Sequence, residues 1–401
     1  MKKVVTMGLG YIGLPTSALV ASSKIQVHGV DVNQKVVDTI NRGEIHIIEK
    51  DLDSAVKSAV DSGYLKASTE PEEADVFLIV VPTPFKGNYE PDISYVESAT
   101  KKVIPLLKEG DLFIIESTSP VGTTQKMKNL IFSERKELEG KINIAYCPER
   151  VLPGNIMYEL IHNDRVIGGI NEDSTNAAIL FYKNFVKGKL YPTNAKTAEM
   201  CKLVENSSRD AQIAFANELS LICDKADINV WELIELANKH PRVNILNPGC
   251  GVGGHCIAVD PYFILSDFPA ESQMIGKARE INNYKSLWCA KKIVSAKKDF
   301  EYKHKRKPTT AILGLAFKPN IDDLRESPAM FIADYIEKKS DMGINLFVEP
   351  NIESHSEYKL TDCKEAIRKA DIIVFLVAHD EFKNINTPEN KLILDFCGIK
   401  K

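Results

Sequence analysis

Lys3-Val4-Val5-Thr6-Met7-Gly8-Leu9-Gly10-Tyr11-Ile12-Gly13 decides the fold. Val4 to Met7 is a short apolar run suited to a buried parallel strand, and Leu14 to Ala21 is a small-residue apolar stretch suited to a helix packed close on it. Between them Gly8 permits the tight turn, Gly10 lets a pyrophosphate approach the backbone, and Gly13 lets helix and strand touch. The phosphates then sit at the helix N-terminus, beside Tyr11 and Ile12. A lone G-x-G-x-x-G is common, but here the context sharpens it. The next apolar run, Ile25 to Val30, ends at Asp31, about 20 residues beyond the glycines, where a carboxylate binds the adenosine ribose hydroxyls. That carboxylate repels a 2′-phosphate, so the pattern calls for NAD rather than NADP. An ordinary strand-ending Asp is the alternative.

Working outward, 401 residues exceed what one core usually serves, so two or three domains are expected. The small negative net charge of −4 speaks against nucleic acid as a main partner. The chain opens directly into a strand, and no apolar run reaches the roughly 20 residues of a membrane span, so neither leader nor membrane is expected and the cytoplasm is the predicted compartment. The 8 cysteines show no paired spacing, as expected for reduced thiols.

Strand-like runs recur at Val76 to Val81, Leu112 to Glu116 and Asn143 to Tyr146, separated by charged helix-like stretches. This is the βαβ rhythm of a doubly wound sheet, in which ligands bind beyond the carboxyl ends of strands; Thr83 and Thr118 follow two such ends and are expected to face the cofactor. From Asn194 to Ala226 the pattern is one long helix. Beyond a basic linker at Lys303 to Pro308, a second α/β unit begins at Thr310 and continues through Asn345 to Val348, Asp371 to Val377 and Leu392 to Asp395. The expected fold class is therefore α/β, with two Rossmann-like doubly wound units joined by a central helical region. The expected division is a cofactor domain over 1–193, a central helical and dimerisation region over 194–302, and a C-terminal α/β domain over 303–401.

Two features carry chemistry. On the long helix Glu199, Lys202, Asn206 and Arg209 share one face by their spacing of three and four, which reads either as a solvated stripe or as part of a site. Downstream, Cys256 follows Gly251-Val252-Gly253-Gly254-His255, where missing side chains let a ligand come close and let backbone N–H groups converge on an anion. His255 either lowers the thiol pKa or points away. Cys256 is thus a candidate nucleophile, with a small core residue as the alternative. A zinc site at Cys250, His255 and Cys256 lacks an evident fourth ligand and a common zinc spacing, so no metal is expected.

Together these residues resemble the UDP-glucose/GDP-mannose 6-dehydrogenase family. The resemblance rests on GLGYIGLP at 8–15, VPTPF at 81–85, ESTSPVGT at 116–123, YCPERVLPG at 146–154, EMCKLVENSSRD at 199–210, GVGGHCIAVDP at 251–261 and GLAFKPNIDDLRESPA at 314–329. It implies a four-electron oxidation of the C6 hydroxymethyl of a nucleotide sugar to a carboxylate, with two NAD+ used in succession, serving surface polysaccharide synthesis. By resemblance, Cys256 forms a thiohemiacetal and then a thioester, Lys202 and Asn206 make the oxyanion hole, Asp260 orders a water, Glu149 is the base for hydrolysis, and Thr118 lies near the nicotinamide. It further implies that Arg150, Val151 and Gly253 line the sugar, that Lys318 and Arg325 face the nucleotide-sugar and NAD phosphates, and that Arg242 reaches a substrate from the neighbouring subunit of a homodimer or higher even oligomer. Arg325 beside Asp322, Asp323 and Glu326 also reads as an exposed ion pair.

The residues after Glu149, Arg150-Val151-Leu152-Pro153, depart from the UDP-glucose branch and are similar to the branch handling 2-acetamido sugars. The implied substrate is a UDP-N-acetyl-hexosamine, with the manno epimer expected and the gluco epimer the rival. Two readings from other classes remain at this point. A two-electron β-hydroxyacid dehydrogenase needs no thiol and gives one NADH per substrate, and an NAD-binding regulator gives no turnover at all.

Overall fold

A computed structural model describes residues 3–87, 89–151, 154–254 and 256–400. They form two compact units, residues 1–204 and 205–401.

The first unit is built on strands β1 (Lys3–Met7), β2 (Gln26–Val30), β3 (Leu65–Ser68), β4 (Val76–Ile79), a hairpin of β5 (Phe85–Lys86) and β6 (Glu90–Pro91), β7 (Leu112–Ile115), β8 (Asn143–Tyr146), β9 (Arg165–Gly169) and β10 (Leu190–Asn194). The main sheet runs β10-β9-β8-β7-β4-β1-β2-β3. Its strands pair in parallel except β8 with β9, which are antiparallel. Chain order reverses at β1, which lies between β2 and β4, so the ligand crevice of such a sheet is at their carboxyl ends. Alternate residues feed two cores: Val4, Leu78, Ile114 and Ala145 face one side, and Val5, Phe77, Phe113 and Ile144 the other. A sheet covered on both faces requires this continuous apolar character, which is why its strands read as unbroken hydrophobic runs.

The second unit carries β11 (Thr309–Leu313), β12 (Ile344–Val348), β13 (Ile372–Phe375) and β14 (Leu392–Asp395) in the all-parallel order β12-β11-β13-β14. Here too the order switches at the first strand. Two helices of 32 residues, Ala195–Ala226 and Gln273–His304, make the helical region.

The expected strands and the first long helix are present, while β3, β9, β10 and the second long helix are additional. Gln273–His304 buries Arg279, Asn282, Lys285 and Ser286 along with Cys289, Ala290 and Ile293, so its core-facing stripe does not look apolar in the sequence. It also extends two residues into the expected linker and stops at Lys305, whose φ of 54° is left-handed.

Candidate active site

The glycine loop after β1 is held as its residue types require. Gly8 has φ of +97°, and a Cβ there would stand 2.4 Å from the Val80 carbonyl oxygen, while one on Gly13 would stand 1.9 Å from the Gly8 oxygen. Gly10 differs: a Cβ there meets nothing within 4 Å, so the space over it is open. The helix Gly13–Ser22 has no side-chain cap at Ile12 and no acidic residue in its first turn, which leaves its positive end to an anionic ligand. Asp31 accepts from Leu9 N–H at 3.2 Å and from Asn33 N–H at 2.9 Å and is only half-buried. Open space for phosphate, an uncapped helix start and an accessible carboxylate at the end of β2 together fit NAD. At the same crevice Ser117 accepts from Val81 N–H at 2.9 Å, joining the ends of β4 and β7 and setting the half-buried Thr83 and Thr118 on the loops that follow.

Glu149 lies three residues past β8. Its Oε1 accepts from Arg150 N–H at 2.5 Å, its Oε2 is 3.2 Å from Arg165 Nη2, and its side chain is 10% exposed. Arg150 and Val151 are half-buried beside it. Farther along, Gly154 and Ile156 are pinned by Glu49, whose buried carboxylate accepts from both N–H groups at 2.9 Å at the start of the helix Ile156–His162.

In the second unit Asn206 Nδ2 donates to Asp260 Oδ2 at 2.5 Å. Asp260 is 2% exposed and begins the helix Asp260–Asp267; its N–H donates to the Cys256 carbonyl at 2.8 Å. One short turn therefore fixes the half-buried Cys256 relative to an amide and a carboxylate. His255 lies outside the described residues. The glycines before it serve packing: a Cβ on Gly253 would stand 2.6 Å from the Glu326 carbonyl oxygen, and one on Gly254 would stand 2.9 Å from the Phe317 ring. The chain before the thiol is pressed against the loop after β11, so at Gly253 and Gly254 the missing side chains make room for protein.

Several other thiols are disfavoured as thiolates. Burial pushes Cys147 up to about 12 and Cys363 up to about 11. Cys250 is raised well above its ordinary value, first by its hydrogen bond with Cys289 and then by burial.

The expected stripe on the first long helix divides by function. Lys202, one turn before Asn206, is half-buried, and Arg209 is exposed. Glu199 is fully buried and caps the helix Thr123–Glu134, accepting from Gly122 N–H at 2.6 Å, Thr124 N–H at 2.7 Å and Thr124 Oγ1 at 2.6 Å. Burial raises its pKa, and these donors oppose the rise. Arg325 forks onto Asp323, with Nη2 to Oδ2 at 2.6 Å and Nε to Oδ1 at 2.9 Å, as the ion-pair reading expects. Lys318 is half-buried and Arg242 exposed.

Sequence reasoning missed Glu49, Glu116 and Arg165. The available signal was a charge set against an apolar run: Glu116 closes Leu112-Phe113-Ile114-Ile115, and Arg165 opens Val166-Ile167.

Compared with known proteins, residues 2–186 match the NAD binding domain of the UDP-glucose/GDP-mannose dehydrogenase family, 196–284 its central domain and 311–401 its UDP binding domain. The chain is 55% identical to the UDP-N-acetyl-D-mannosamine dehydrogenase of Escherichia coli K12, over 98% of each chain. It is 48% identical to the NDP-N-acetyl-D-galactosaminuronic acid dehydrogenase of Ralstonia nicotianae, over 99% of this chain and 96% of the other. Among solved structures, the UDP-D-ManNAc dehydrogenase of Pyrococcus horikoshii superposes with a TM-score of 0.88 at 39% identity, covering 100% of this chain and 96% of that one.

Proposed function

Since the chain belongs to the UDP-glucose/GDP-mannose dehydrogenase family and is an NAD-dependent nucleotide-sugar dehydrogenase, we propose that it oxidises UDP-N-acetyl-D-mannosamine to the 6-carboxylate, for surface polysaccharide synthesis. The observation carrying this reading is near-full-length identity of 55% to a relative of that name. When bound, NAD would supply the hydride acceptor for each of two oxidations. The rest falls to the chain's own residues. Lys202 and Asn206 donate to the C6 oxygen as it gains negative charge. Cys256 adds to the aldehyde, because an aldehyde carbon has no readily donated hydride until a nucleophile makes it tetrahedral. Loss of hydride from that adduct gives a thioester, which also keeps the aldehyde from escaping. Asp260, already bonded to Asn206, orders a water, and Glu149 takes its proton during hydrolysis.

The glycine loop, Asp31, Thr83, Thr118 and Arg325 are assigned to NAD, and Arg150, Val151, Gly253, Lys318 and a neighbouring subunit's Arg242 to the sugar nucleotide. The division into 1–193, 194–302 and 303–401 is proposed on the same basis. An even oligomer is supported by apolar side chains left outward in the helical region: Phe215 is 51%, Ile222 56% and Leu236 61% exposed. Among the described residues no helix is long and apolar enough to cross a membrane; cysteines that form no disulfide support a reducing compartment, the cytoplasm.

The test is a panel of UDP-N-acetylmannosamine, UDP-N-acetylglucosamine, UDP-glucose and GDP-mannose with NADH counted per sugar. Two NADH and preference for the first sugar are expected. One NADH per sugar overturns the covalent route, and preference for the gluco epimer overturns the substrate. Cys256→Ser should abolish acid formation while leaving NAD binding in place. Glu149→Gln should accumulate an acyl adduct on Cys256, visible by intact mass.

A further inference from the structure

Three neighbouring strand ends place charges side by side in the first unit. β7 and β8 are parallel with Ile115 opposite Tyr146, so the next residues, Glu116 and Cys147, are also neighbours. β8 and β9 are antiparallel with Tyr146 opposite Gly168. Continued past Tyr146, that register sets Glu149 opposite Arg165. A parallel β9 would carry its first residue to the other end of the sheet. The reversed strand is therefore what delivers a guanidinium to the expected hydrolytic base.

The side chains meet as the register requires. Arg165 Nη2 is 3.2 Å from Glu149 Oε2, and Nη1 is 4.0 Å from Glu116 Oε1. Tyr182 Oη donates to that same Glu116 oxygen at 2.5 Å, and the guanidinium lies 5.0 Å from the Tyr182 ring centroid. Arg165 also donates to the Leu160 carbonyl at 3.3 Å and reaches the Cys147 sulfur at 3.9 Å. The side chains of Arg165 and Glu116 are 4% and 0% exposed. Glu149 Oε2 makes no hydrogen bond, so Arg165 holds it by charge and leaves a lone pair for a proton.

We propose that Arg165 is the positioning residue for Glu149, and that Glu116 tunes Glu149 by competing for the same guanidinium. The inference rests on the reading of Glu149 as the hydrolytic base. In that step the water oxygen bonds to the acyl carbon as Glu149 takes a water proton. The C–S bond breaks, the Cys256 thiolate leaves, and the Glu149 acid returns its proton to solvent. A base that cycles through two charge states needs a fixed counter-charge, and Arg165 provides one that never titrates in the working range. Two buried carboxylates on one guanidinium carry an excess negative charge, which a proton on Glu116 relieves. Burial, opposed by Arg165 and reinforced by Glu149, pushes Glu116 up to about 7. The other groups facing Glu116 do not share this proton: Cys147 is pushed up to about 12 and Tyr182 well above its ordinary value, both mainly by burial.

The experiment compares native protein, Glu116→Gln, Arg165→Lys and Glu149→Gln with UDP-N-acetylmannosamine and NAD+. It follows the first NADH burst, the rate of acid release from pH 5 to 9, and the mass of Cys256. Glu116→Gln keeps the shape and an acceptor for Tyr182 but gives Glu149 sole claim on Arg165. Its hydrolysis profile should lose the inflection near pH 7 at which native Glu116 gives up its proton and begins to compete for Arg165, while the NADH burst stays within twofold of native. Arg165→Lys keeps the charge and loses the fork, so acid release should slow tenfold or more and the adduct should accumulate at an unchanged burst rate. A Glu116→Gln profile that superimposes on the native one, or an Arg165→Lys burst that falls as much as acid release, overturns the inference while the Glu149 adduct still stands. If Glu149→Gln forms no adduct and releases acid at the native rate, the reading of Glu149 fails, and the inference with it.

Discussion

The turns that follow β1 and β11 repeat one another almost bond for bond. Gly8 and Gly314 have φ of +97° and +92°. Their N–H groups donate to the last residue of the neighbouring strand, Val30 at 2.8 Å and Val348 at 2.9 Å. In each unit the next residue is a carboxylate that accepts from the turn: Asp31 from Leu9 N–H at 3.2 Å, Glu349 from Leu315 N–H at 2.7 Å and Ala316 N–H at 3.0 Å. There the likeness ends. Asp31 stays half-buried, whereas Glu349 is 4% exposed and also meets His379 Nε2 at 3.1 Å. The same position in the same fold thus carries an accessible carboxylate in one unit and one spent on the scaffold in the other. Fold position alone does not make an acid a ribose ligand; what decides is whether its lone pairs remain open.

Breaking the comparison starts with the larger effect. Glu349→Ala removes an acceptor shared by three backbone amides, the Asn351 side chain and a buried imidazole, and should cost about 3–5 kcal/mol in urea unfolding. A loss below about 1 kcal/mol together with weakened nucleotide-sugar binding would show that Glu349 is a ligand after all. Asp31→Ala should weaken NAD binding by about 1–3 kcal/mol in calorimetry and leave the unfolding midpoint nearly in place. A smaller, signed effect separates the units by pH. Burial works to raise the Glu349 pKa, but the donors from His379, Leu315 and Ala316 win and hold it at about 2 against an ordinary 4.5. Its contribution to stability is therefore complete above pH 4.5 and lost as pH falls toward 2. Glu116, raised to about 7, has the opposite sign: its contribution is complete below 4.5 and lost as pH rises through 7. Urea midpoints measured across pH should lose the acid-side slope in Glu349→Gln and the neutral slope in Glu116→Gln; unaltered slopes would reject both assignments. The smallest change sharpens the role of Gly10. Because a Cβ meets nothing there, Gly10→Ala should move stability by less than about 1 kcal/mol. NAD affinity should nevertheless fall, and native affinity in that variant would put the pyrophosphate elsewhere.

Much of this was legible in the sequence. The glycine loop and Asp31 are local signals, because each acts through backbone within its own strand–turn–helix unit, and the turn required only residue types at fixed offsets. That Asn206 and Asp260 both serve the site was legible only through resemblance, and their direct hydrogen bond, across 54 residues, was not legible at all. Glu199 was misleading: its spacing matches the helix face of Lys202 and Asn206, yet its carboxylate caps a different helix. Arg165 and Glu116 were hidden because their meaning depends on strand direction, and a run of apolar residues does not say whether its partner is parallel.

The Glu49 clamp has a consequence for the order of folding. Its two hydrogen bonds reach 105 and 107 residues along the chain to the loop that follows Glu149. Closing so wide a span costs chain entropy before it returns any contact, so contacts of this separation form late. Until then Glu49 stays hydrated and the helix Ile156–His162 lacks its anchor. The sheet around β1 can be native while this loop is not, and refolding chains should recover cofactor binding before they recover turnover.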